Sequence, residues 1–149
     1  MTNEATPHFS AFTDMAACTG PRNVLHLMFD PKGMRPHILN WEAVAEALLQ
    51  RVYRESVGRI IDEKIKELLT SLRAYPDVKV EWQTRKSLHF VPIIPVSFVK
   101  GDQAFSYFSM VTTVGTPQSI STQELRIECM FPADEQTESG HMKLLGHPV

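Results

Sequence analysis

Near residue 86 the hydrophobic pattern of this 149-residue chain changes period, and few folds accommodate both halves. Before that point Trp41, Val44, Ala45, Leu48 and Val52 recur at helical spacing. Ile61, Ile65, Leu68, Leu69 and Leu72 form a second stripe, with Asp62, Glu63, Lys64, Lys66 and Glu67 facing outward. Asn40 is placed to cap the first helix, and Glu42 suits its first turn. Gly58 interrupts between the two stripes. Tyr75-Pro76-Asp77 predicts the end of the second, because proline disfavours the α conformation in the residue before it.

After the change the chain turns β-branched and aromatic. "SLHFVPIIPVSFV" (87–99) reads as extended, but Pro92 and Pro95 lack an amide donor, which places its first part at an edge or makes it irregular. Lys100-Gly101-Asp102-Gln103 is a tight hairpin turn. A strand over Ala104–Val114, a loop over Gly115–Thr122 and a strand over Gln123–Phe131 follow. In the last strand Leu125, Ile127, Cys129 and Phe131 share one face, expected to be buried. Glu124, Arg126 and Glu128 share the other, expected to be wet. Pro132 ends the pairing, and the stretch from Asp134 to Val149 reads as a frayed tail.

Upstream, Phe9, Phe12 and Met15 at spacing three suit a short helix that Gly20-Pro21 would end. "NVLHLMF" (23–29) is too short to tell a buried strand from a helical turn. "DPKG" (30–33) is a turn. The order is therefore helices followed by a three-strand antiparallel meander, an α+β fold with helices packed on one face of the sheet.

Composition narrows the functions. The net charge of -2, with 15 basic and 17 acidic residues, gives no basic excess for gripping nucleic acid phosphates. No stretch approaches about 18 uninterrupted apolar residues, so no membrane span is expected. Residues 1–10 have no apolar core of a secretory signal, which points to the cytoplasm and to reduced Cys18 and Cys129. The six histidines show no helical i, i+4 pair and there is no CxxC, so no metal site is expected. No serine or cysteine has a recognisable base partner. "VGTPQ" lacks the other glycines of a phosphate loop. Neither an enzyme nor a bound cofactor is expected. Aromatic and sulfur side chains do gather in the presumed core: Met28, Phe29, Trp41, Phe98, Phe105, Phe108, Met110, Cys129 and Phe131. Such an interior either fills the space between layers or repacks around an apolar guest.

"GPRNVLHLMFDPKGMRPHILNWEAVAEALLQRVYRE" (20–55) and "FSMVTTVGTPQSISTQELRIECMFPADE" (108–135) resemble the C-terminal sensor domain of MmyB-like transcription regulators of the Xre helix-turn-helix group. The most specific blocks are "NVLHLMFDP", "NWEAVA", "VGTPQ" and "QELRIECMFPADE", and the similarity runs from about Asn3 to Glu138. The resemblance implies a PAS-like sensor over 1–138, with 139–149 as a flexible tail, that binds an apolar small molecule such as a fatty acid. It implies that the three C-terminal strands are strands three to five of a five-strand sheet, with the helices of 41–74 inserted before them. It also implies that the first sensor strands are missing. No position here matches a recognition helix, so DNA would be reached only through a helix-turn-helix domain absent from this chain. The last strand would then show an unpaired edge.

From the facing pattern, Met28, Phe29, Trp41, Val44, Leu48, Phe108, Met110, Ile127 and Cys129 are expected to line the ligand pocket. Arg22 or Arg35 could meet a charged head group, although capping turns suits both better. Two alternatives stand beside the sensor: a dimerisation module without ligand, pairing as a homodimer through its sheet edge, and a remnant of a longer regulator.

Overall fold

A computed structural model describes residues 23–57, 63–82, 93–114 and 125–146. The expected helix near Phe9, the interruption at Gly58, the first part of the 87–99 run and the loop over 115–122 lie outside these residues.

The ambiguous run settles as a helix, α1 (Val24–Phe29). The Asn23 side chain accepts the Leu25 amide at 2.8 Å, which satisfies one of the unpaired donors at the helix start. The predicted turn follows, closed by the Gly33 amide donating to the Asp30 carbonyl at 2.8 Å. A short 3-10 turn (Arg35–His37) leads to α2 (Trp41–Val57), and α3 (Glu63–Arg73) stops at the predicted Tyr75-Pro76-Asp77. A second 3-10 turn (Val80–Trp82) buries Trp82.

Three antiparallel strands come next: β1 (Ile94–Lys100), β2 (Gln103–Val114) and β3 (Leu125–Pro132), in the order β1-β2-β3. Gly101 joins the first two with φ of 59°, the positive value that a two-residue hairpin turn needs at its first central position. The α+β arrangement expected from the sequence is the one observed.

Helices cover one face of the sheet. Ile94, Val96 and Phe98 of β1 lie opposite Ser109, Tyr107 and Phe105 of β2, and all six are buried. The core continues through Phe29, Val44, Ala45, Leu48, Leu49, Leu69 and Leu72 of the three helices. Trp41 sits at its margin, with Phe29 edge-on at 6.1 Å and Trp82 edge-on at 5.9 Å between ring centres.

Asn40 precedes α2 and its carbonyl accepts the Val44 amide at 3.1 Å, yet its side chain does not cap the helix. The carboxamide instead accepts from the Ser97 amide at 3.0 Å and donates to the Pro95 carbonyl at 2.9 Å. Together with Leu39 N–H donating to the Ser97 carbonyl at 2.8 Å, it closes the outer edge of β1. Pro95 tolerates that edge position because it has no amide to pair.

Two further expectations are corrected. Residues 135–144 are not a frayed tail but a helix, α4 (Glu135–Leu144), docked on β2. Asp134 caps it by accepting the Thr137 amide at 2.7 Å, and the Thr137 hydroxyl accepts the Ser106 amide at 2.9 Å. Gly140 lets the helix approach, since a Cβ there would meet Phe105 at 2.9 Å. The local polarity of "EQTESGHMK" hid this, because α4 docks through small residues and hydrogen bonds.

The second correction concerns β3. Phe131 is exposed and stacks on Phe108 at 5.3 Å, on the face away from the helices. Met130 packs against the core, opposite the buried Ser109. Alternation separates two faces but does not say which one the helices take. The β2 register decides, because burying Phe105 and Tyr107 turns Phe108 and its partner Phe131 outward.

Candidate functional site

The residues expected to line one pocket divide between the two faces of the sheet. Phe29, Trp41, Val44 and Leu48 lie in the helix-covered core, and Met28 packs partly buried against it. Phe108 and Cys129 are half-buried and Met110 is exposed, and all three lie on the opposite face. Ile127 pairs with Thr112, and its side chain lies outside the described residues. A pleated sheet separates the two groups, so they do not line a single cavity.

The interior between α1, α2 and the sheet has two ends of different character. At one end the aromatic residues are in mutual contact. Phe29 and Trp41 meet there, the Trp41 indole N–H donates to the Met28 carbonyl at 3.0 Å, and Phe98 packs on Tyr107 at 6.2 Å. Tyr107 also hydrogen-bonds His141 of α4 at 3.0 Å, and burial pushes its phenol up to about 12.

Toward the other end Arg51 of α2 reaches Glu128 of β3. Here a polar group replaces the aromatics. The Ser109 hydroxyl, itself buried, donates to Glu128 Oε1 at 2.7 Å, and Arg51 Nη1 stands 4.0 Å from that same oxygen. The sequence carried one signal for Arg51: it continues the sheet-facing stripe of Val44 and Leu48 at i+7 from Val44. Val96 and Tyr107 also face inward on the helix-covered side, and neither was among the residues expected there. Their signal was the alternation through Ile94, Val96 and Phe98 and its register partner in β2.

Arg35 is spent on structure. Its guanidinium lies 3.9 Å above the Trp41 ring, donates to the Pro76 carbonyl at 2.9 Å and pairs with Asp77. It thereby ties the turn before α2 to the end of α3, and φ of 64° at Asp77 fits that sharp turn. An open surface groove of about 440 Å³ lies here, between Pro31, Pro36, Trp41 and Pro76. Arg22 lies outside the described residues. His26 is a satisfied core histidine, bonded to the Tyr75 hydroxyl at 3.0 Å and to Ser71 at 3.4 Å. Cys129 is a free thiol. Among the described residues no cluster of three potential metal ligands occurs, and no helix is long and apolar enough to cross a membrane.

Against models of known families, residues 1–144 match the MmyB-like transcription regulator ligand binding domain. The chain belongs to this family. It is a family of regulatory ligand-binding domains and not of enzymes. No curated protein and no solved structure matches the chain.

Proposed function

We propose that this domain senses an apolar small molecule, fatty-acid-like in character, for a DNA-binding transcription regulator of the cytoplasm. The observation that carries this reading is the apolar layer between α2 and the inner sheet face, within a family whose members bind ligands. The aromatic end of that layer is filled. A guest therefore fits best past Leu48, toward the Arg51 end, with adaptable neighbours such as Met130 giving way. Each methylene placed there contributes roughly 0.8 kcal/mol, less the cost of ordering the chain. Ligand acts by favouring one conformation of the sensor, and a separate helix-turn-helix domain reads DNA. Native mass spectrometry of the purified chain tests this. The expected result is a co-purifying lipid and a higher melting temperature on adding long-chain fatty acids. A bare mass with no thermal shift would overturn it.

The edge of β3 favours a second reading, self-association. Among the described residues β2 is its only neighbour. The Ala133 amide donates to the Ser106 carbonyl, so by alternation the backbone groups of 126, 128 and 130 point away from β2. A two-fold axis at Ile127 would set Arg126 opposite a second copy's Glu128 as a hydrogen-bonded, oppositely charged pair. Pro132, with no amide, would end the ladder. Sedimentation over a concentration series should show a dimer that Glu128→Arg weakens and added Arg126→Glu restores. A strict monomer would overturn this reading.

A further inference from the structure

Arg51 occupies a position that helical periodicity assigns to an apolar residue. It follows Val44 by seven residues and Leu48 by three, on the stripe of α2 that meets the sheet. Its side chain retains only 22% exposure. A guanidinium carries five donors and stays charged at any physiological pH. Withdrawing it from water is costly unless those donors are met. Among the described residues its one charged contact is Glu128 at 4.0 Å, beyond hydrogen-bond reach, and those residues offer it no hydrogen bond. Glu128 does not come closer because its Oε1 is held by the buried Ser109 hydroxyl at 2.7 Å. The neighbouring Arg54 is turned outward and bonds the Gln50 carbonyl at 3.2 Å.

We infer that Arg51 anchors the carboxylate of an amphiphilic ligand whose tail lies along Leu48 and the inner face of the sheet. This rests on the ligand-sensing reading and gives it a head-group chemistry. A carboxylate supplies two oxygens in the planar geometry that a guanidinium fork accepts, which the fixed Glu128 oxygen does not. Glu128 then acts as a rival charge. It repels the incoming anion and keeps binding reversible, while Ser109 holds it clear of the fork.

The test compares tetradecanoic acid with tetradecan-1-ol, which share a tail and differ in head group, by calorimetric titration of the full chain. The unaltered protein should bind the acid about 10- to 100-fold more tightly, the range of one charge-assisted contact. Arg51→Met should remove the preference, with its thermal unfolding transition reporting that it folds. Glu128→Gln, which deletes the rival charge and keeps the shape, should widen the preference. If the unaltered protein binds acid and alcohol alike, or if Arg51→Met keeps the preference, the anchor is overturned and apolar sensing still stands. If neither compound binds, the sensing reading falls and the anchor with it.

Discussion

The two faces of the sheet are built from similar residues and have opposite fates. One carries Ile94, Val96, Phe98, Phe105 and Tyr107 under α2 and α4, and all five are buried. The other carries Phe108, Met110, Cys129 and Phe131, which remain half-buried or exposed among the described residues. Hydrophobicity alone does not separate them. The helices that cover one face do, and this shows that an apolar strand residue joins a core only where a second layer is placed to receive it.

The comparison breaks most sharply under truncation. Phe98→Ala should cost about 3–5 kcal/mol, since it empties a closed site. Phe131→Ala should cost about 1 kcal/mol or less, because it loses mainly the stacking on Phe108. Urea unfolding of both variants measures the difference, and equal losses would mean that the outer face is covered as well.

Asn40 sharpens the contrast at the edge of β1. As a helix cap it would tolerate aspartate well. As a clamp it cannot, since Asn40→Asp deletes the donor to the Pro95 carbonyl and should cost about 1–3 kcal/mol. An Asn40→Asp variant as stable as the parent would restore the capping role.

Tyr107 gives the inner face a signature at high pH. Burial raises its folded value to about 12, above the 10.0 of a free tyrosine, so its contribution is complete below pH 10. That contribution is lost as pH rises from 10 toward 12, where the unfolded chain ionises first. Tyr107→Phe should flatten this alkaline decline in the melting temperature.

The smallest effect is expected at α4. Hydrogen bonds from Thr137 hold the Asp134 carboxyl below its ordinary value, so the cap is intact above pH 3.8 and lost as pH falls through the lowered value. Helical circular dichroism should show a slight acid loss, and Asp134→Asn, whose cap does not titrate, should suppress it.

Much of the fold was legible because it follows from local periodicity. The stripes of α2 and α3, the stop at Pro76, the hairpin at Gly101 and the meander order were all visible in the residues. α4 was not, because its contacts are a Thr137 hydroxyl, a Gly140 close approach and a His141 ring, none of which makes an amphipathic stripe. The candidate site was legible only in part. Val44 and Leu48 fall in the core where helical spacing puts them, Phe29 joins them from a run whose periodicity was ambiguous, and Phe108, Met110 and Cys129 lie on the other face of the sheet. Arg51 stood on the core stripe in plain view, and its meaning depended on knowing what β3 places opposite it.

By itself the sequence determined the family, the α+β class and which residues share a face, since each is written in short-range pattern. Which face of the sheet the helices took, what Asn40's carboxamide holds and where Arg51 meets Glu128 were decided only by the tertiary structure. These depend on contacts between residues tens of positions apart, and no local spacing encodes them.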